Sequence, residues 1–143
     1  MPKRVIIIDD DHGPIEFYVK ALRLCHFEVT HLDTLDAGLR HFADPGEPAD
    51  FYVLDMMLPI AETGEDVLPK CGYKNIGFGM TAGLLLFERL RIRLPKVPVL
   101  VLTSISRPDI LDKIPLDEHS EWRAKVNLLP FELSDLVRKS LAS

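Results

Sequence analysis

Cysteine and long apolar runs are both scarce in this sequence, and each scarcity narrows the field. Cys25 and Cys71 are too few for a disulfide framework, so a reduced compartment is the simpler setting. No apolar run approaches the ~20 residues of a membrane-spanning helix. Met1-Pro2-Lys3-Arg4 leads into Val5-Ile6-Ile7-Ile8 and then directly into acids, too short an apolar stretch for a signal peptide. A cytoplasmic protein without a membrane partner is the expectation. Basic runs are missing as well. The formal net charge is −5 and no Lys/Arg cluster occurs, so a direct nucleic-acid partner is not expected, nor a DNA-binding output domain within these 143 residues. His12, His26, His31, His41 and His119 stand at no metal-ligand spacing with the cysteines, which argues against zinc.

What the chain does have is the balance of a globular protein, 47% hydrophobic and 27% charged residues. Its 143 residues suit a single domain spanning 1–143. Val5-Ile6-Ile7-Ile8 is apolar at consecutive positions, the pattern of a strand buried on both faces. A helical spacing follows through Ile15, Val19, Leu22 and Cys25, with Pro14 acceptable in the first turn. Phe27 to His31 predicts a second strand and about Thr34 to Phe42 a second helix. Phe51 to Leu54 predicts a third strand ending at Asp55, Val97 to Leu102 a fourth ending at Thr103-Ser104, and Glu121 to Val126 a weaker fifth. Leu133, Leu136, Val137 and Leu141 give a last helix one apolar face. Strands alternating with amphipathic helices predict an α/β fold with a parallel sheet and right-handed crossovers.

One segment exceeds a minimal unit of this kind. From about Ile60 to Met80 the sequence is rich in glycine and turn formers, a long insertion after the third strand. Loops of that length are uncommon in small domains, and the segment reads as either a surface excursion or a partner-binding element.

The chemistry gathers at strand ends. Asp9 and Asp10 follow the first strand, Asp55 the third and Thr103 the fourth, while Lys125 lies near the end of the fifth. In an open parallel sheet, ligands bind beyond the carboxyl ends of the strands, so these distant residues should converge. Carboxylates held together repel unless a cation joins them. Mg²⁺ favours oxygen ligands and typically takes one or two carboxylates plus phosphate oxygens. A carboxylate is also a competent nucleophile toward phosphorus. Lys125 would face phosphoryl oxygens, and the Thr103 hydroxyl could donate to one.

Asp9-Asp10-Asp11, then Asp55-Met56-Met57-Leu58-Pro59, then Val99 to Ser104, then Lys125 resembles the receiver domain of two-component response regulators over essentially the whole chain. The resemblance implies a flavodoxin-like, doubly wound five-stranded sheet of order 2-1-3-4-5. It implies that Asp9, Asp10 and the Met57 main-chain carbonyl, with Asp55, hold Mg²⁺. Asp55 would be the phosphoacceptor, Lys125 the phosphate partner, and Thr103 and Trp122 the switch pair. The partners implied are a histidine kinase or phosphotransfer protein and a downstream output protein or domain, with homodimerisation left open. Such a module is a signalling phosphoacceptor, self-catalysing phosphoryl transfer and dephosphorylation, rather than a turnover enzyme. Met57 and Ile105 would flank the site with apolar bulk and slow hydrolysis of the acyl phosphate.

Three departures from the family pattern stand out. The family usually has proline directly after the lysine, whereas Val126-Asn127-Leu128-Leu129 precede Pro130 here. The 60–80 insertion starts beside Asp55. Pro108 and Pro115 interrupt the segment after Ser104, so a fourth helix there should be short. These departures keep a second reading open, a degenerate receiver serving as a phosphorylation-independent interaction module. A third, a haloacid-dehalogenase-type hydrolase, matches Asp9-Asp10-Asp11 superficially, but it lacks the late acidic pair and would label Asp9 instead of Asp55.

Overall fold

The consecutive apolar residues of the three inner strands leave no polar face to turn toward water, and the structure covers both. The computed structural model describes residues 2–44, 46–56, 58, 81–104, 112 and 114–142. Its elements run β1 (Arg4–Ile8), α1 (His12–Leu24), β2 (Glu28–Leu32), α2 (Leu35–Ala43), β3 (Phe51–Asp55), α3 (Thr81–Arg93), β4 (Val99–Thr103), β5 (Ser120–Ala124) and α4 (Pro130–Ala142). The strands form one five-stranded sheet of order β2-β1-β3-β4-β5, with every pair parallel. The expected order 2-1-3-4-5 is therefore the observed one. Among the described residues, no helix is long and apolar enough to cross a membrane.

Side chains alternate across the sheet with a period of two, and so build two cores. Ile6, Ile8, Tyr52, Leu54, Val99 and Val101 pack on one face with α2 and α3. Val5, Ile7, Phe51, Val53, Leu100 and Leu102 pack on the other with α1 and α4.

The helix ends follow local chemistry. Thr34 caps α2 by accepting the Ala37 N–H at 3.0 Å. Pro130 opens α4, where its missing N–H costs nothing, and Glu132 reaches back to the Leu129 N–H at 2.8 Å. After α1, His26 takes φ 68°, and Phe27 N–H returns to the Leu22 carbonyl at 3.1 Å, a left-handed stop that aims the chain into β2.

Some expected boundaries move. β2 runs one residue later than expected, because Glu28 N–H already bonds the Lys3 carbonyl. β4 starts at Val99 instead of Val97. Pro98 has no N–H to give the ladder, and the Val97 carbonyl is taken by Arg91 at 2.8 Å. β5 ends at Ala124, and Lys125–Asn127 forms a short 3₁₀ turn in place of the expected strand end. The 60–80 insertion and most of the segment after Ser104 lie outside the described residues.

Tyr52 places a hydroxyl in the buried layer near the amino ends of the strands. It accepts the Ala49 N–H at 3.0 Å and meets His41 Nε2 at 2.8 Å. Burial, and then the Arg4 charge, hold the His41 pKa below its ordinary 6.5. A neutral imidazole can accept from the Tyr52 hydroxyl. Because the unfolded chain binds this proton more readily, the contribution is full above pH 6.5 and is lost as pH falls through the depressed value. Urea midpoints measured between neutral and mildly acid pH should fall with pH. His41→Gln should flatten that slope, and an unchanged slope would assign it to other groups.

Candidate functional site

Strand register alone brings the polar residues together. Ile8 pairs with Leu54 across β1 and β3, so Asp9 and Asp55, each the next residue, stand side by side. Asp55 is level with Leu102, Thr103 is one step further, and Thr103 pairs with Ala124. Lys125 follows Ala124 directly. Four strand ends thus share one edge of the sheet, which is where sequence placed them.

Asp9 and Asp55 are each 1% exposed, whereas Asp10 is exposed. One carboxylate oxygen from each of the three lies within 4.8 Å of the others. Lys125 supplies the counter-charge: its Nζ is 2.8 Å from Asp9 Oδ2 and 3.7 Å from Asp55 Oδ2. Burial alone would lower the Lys125 pKa. The Asp9 contact and the charges of Asp55, Asp9 and Asp11 outweigh it and raise the pKa above the ordinary lysine value. The four residues between Lys125 and Pro130 therefore do not turn the lysine away. They are absorbed by the 3₁₀ turn and by Leu128, which is buried against the α1–α4 core.

Asp9 is fixed from several sides. Its N–H bonds the Leu32 carbonyl at 3.0 Å, its carbonyl accepts from His31 Nε2 at 2.6 Å, and its Oδ1 accepts the Asp11 N–H at 2.9 Å. Oδ2 is left facing the site. It is buried without an aligned hydrogen bond and has the Lys125 ammonium as its close neighbour. A buried carboxylate oxygen in that state, beside two further carboxylates, suits a hard divalent cation, and the cluster fits a Mg²⁺ site.

The remaining expected residues are placed as follows. Thr103 is the last residue of β4 and fully buried. Trp122 lies on the edge strand β5 opposite Val101 and is 37% exposed, so it is not a core residue. Met57 and Ile105 lie outside the described residues.

Sequence reasoning missed three contributors. His31, weighed only as a zinc ligand, clamps the Asp9 main chain. The hydroxyl of Tyr18, on α1, donates to the Leu128 carbonyl at 2.6 Å, just past Lys125. Gly83 in α3 lets that helix lie against the end of β3: a Cβ there would stand 2.4 Å from Met56 Cα and 2.9 Å from the Asp55 carbonyl oxygen. A glycine beside the apolar run Leu84-Leu85-Leu86-Phe87 was the readable signal for the last of these.

No protein-family model matches the sequence, and no curated protein matches it. Solved structures do. A CheY-like response regulator receiver domain protein from Methanospirillum hungatei superposes with a TM-score of 0.73 at 19% identity, over 99% of this chain and 95% of that one. The fold is that of a receiver domain. A response regulator from Thermotoga maritima covers both chains fully at 18% identity and TM-score 0.68. The receiver domain of a sensor histidine kinase from Pseudomonas aeruginosa does so at 14% identity and TM-score 0.71, and its structure holds a magnesium ion in the active site cleft.

Proposed function

We propose that the chain is a cytoplasmic phosphoacceptor switch in which Asp55, with Mg²⁺, takes a phosphoryl group from a phosphohistidine on a kinase or phosphotransfer partner. The observation that carries this reading is the setting of Asp55. It is buried at a strand end, within 4.8 Å of Asp9 and Asp10, with the Lys125 ammonium 3.7 Å from its Oδ2. The receiver fold supports it by analogy, but the site carries the argument.

In this reading an Asp55 oxygen attacks phosphorus and the P–N bond to the donor imidazole breaks. The electron pair leaves with that nitrogen, which takes a proton from solvent. Asp9, Asp10 and Asp55, with the Met57 carbonyl that the resemblance implies, would hold Mg²⁺, which offsets charge on the phosphoryl oxygens when bound. Lys125 faces those oxygens from the β5 side, and Thr103, at the adjacent strand end, donates its hydroxyl to one of them. The added charge is then read by an output protein or domain through Thr103 and Trp122. Water later attacks the acyl phosphate and releases phosphate, so the module resets without being a turnover enzyme.

Intact mass after incubation with Mg²⁺ and acetyl phosphate tests the reading. A single phosphoryl adduct is expected on the wild type, and none on Asp55→Asn or after chelation. A wild type that stays unmodified would instead make the chain a phosphorylation-independent interaction module.

A further inference from the structure

Lys125 has an unusual support. It lies beyond the last residue of an edge strand, which among the described residues has a neighbour on one side only, and it opens a 3₁₀ turn of which no residue is buried. A lysine stem is long and flexible, so its ammonium is only as well placed as the backbone beneath it. The near end of the turn is held by the β4–β5 ladder, through Thr103 and Ala124. The far end is held at Leu128. Its N–H returns to the Lys125 carbonyl at 3.4 Å, its side chain is buried, and its carbonyl accepts the buried Tyr18 hydroxyl at 2.6 Å.

We propose that Tyr18 is a positioning residue for Lys125, acting through the Leu128 carbonyl; this rests on the phosphoacceptor reading above. α1, the helix that carries Tyr18, starts directly after Asp11, whose N–H holds Asp9 Oδ1. One rigid helix thus sets the aim of Asp9 at its start and the anchor of the Lys125 turn along its length. The acid and the base of the 2.8 Å ion pair are referred to the same element. The Tyr18 phenol is close enough to both to feel them: burial raises its pKa, the Lys125 charge lowers it and the Asp9 charge raises it. The carbonyl that Tyr18 grips lies among the four residues that separate Lys125 from Pro130.

The test uses Tyr18→Phe, which keeps the ring in the core and removes only the hydroxyl. Phosphorylation rates with acetyl phosphate are compared for wild type, Tyr18→Phe, Lys125→Ala and the double variant, together with Mg²⁺ affinity by calorimetry. Tyr18→Phe is expected to slow modification about tenfold, the order expected when a reacting group is slightly misplaced. Mg²⁺ binding should not weaken, and the double variant should be no slower than Lys125→Ala alone. Hydrogen exchange at residues 126–129 should quicken in Tyr18→Phe, a reading that does not need the Lys125 variants to fold well. An equal slowing in both backgrounds, or weakened Mg²⁺ binding in parallel, would reduce Tyr18 to a structural residue and overturn the proposal. So would an unchanged rate while the wild type is modified normally, which leaves the phosphoacceptor reading standing. A wild type that takes no phosphoryl group defeats that reading and this one together.

Discussion

Replacing Gly83 with alanine is expected to lower the unfolding free energy by about 3 kcal/mol and to abolish modification of Asp55. The added Cβ would lie 2.4 Å from Met56 Cα, 2.8 Å from the Met56 oxygen and 2.9 Å from the Asp55 oxygen. All three are backbone atoms, so no rotamer change relieves the contact. Either α3 moves out or the end of β3 moves in. The first breaks the packing of Leu84, Leu86, Phe87 and Leu90, which are buried in the core on that face. The second displaces Asp55, the proposed phosphoacceptor. Urea unfolding read beside intact mass distinguishes these routes. Lost stability with normal modification would mean the helix yields, and unchanged values for both would show that the close approach is unimportant. Gly38 offers a control, since a Cβ there meets the flexible end of Leu86 at 2.8 Å and should cost much less.

Lys125→Ala carries the second large effect. Asp9 and Asp55 are almost wholly buried, and among the described residues the lysine, whose side chain is 16% exposed, is a cation beside both. Breaking one side of a buried ion pair typically costs about 3–5 kcal/mol, and the partial exposure of this lysine brings the expectation to about 2–3 kcal/mol. The deficit should be specific to the metal-free protein. On the proposed reading Mg²⁺ binds the folded site and not the dispersed unfolded carboxylates, and at about a hundredfold excess over its Kd a ligand contributes about 2.7 kcal/mol. Without the ammonium that competes for Asp9 Oδ2 the carboxylates should hold Mg²⁺ more tightly, so melting curves with Mg²⁺ and with chelator should separate more for the variant than for the wild type. Modification of Asp55 should slow about a hundredfold even when Mg²⁺ restores stability, because the ammonium facing the phosphoryl oxygens is gone. Equal losses of stability with and without Mg²⁺ would place the lysine's role outside the charge cluster.

Much of this was legible in the chain. The apolar runs at Val5–Ile8, Phe51–Leu54 and Val99–Leu102 carry no alternation, so they had to be central strands. The acids and hydroxyl that follow them then had to share one edge. Asp9, Asp10, Asp55 and Lys125 do come together, because parallel register converts position after a strand into position in space. What was not legible depends on contacts between elements. Whether Lys125 still pointed inward after its altered flank depended on Leu128 finding the α1–α4 core and on Tyr18 reaching its carbonyl, neither of which has a local signature. His31 looked like any strand histidine until the β1–β2 pairing set it against Asp9. The end of β5 was missed because the 3₁₀ turn that replaces it is held at Leu128 by contacts between elements.

The order in which the charges enter the fold has a consequence for synthesis. A nascent chain emerges with both buried acids by residue 55, and its neutralising cation arrives only seventy positions later, after the outermost strand. A ribosome-bound intermediate that had paired β1, β3 and β4 would bring two like charges together before the Lys125 ammonium that lies against them is made. That repulsion disfavours early closure around the acids, and the arrival of β5 with Lys125 relieves it.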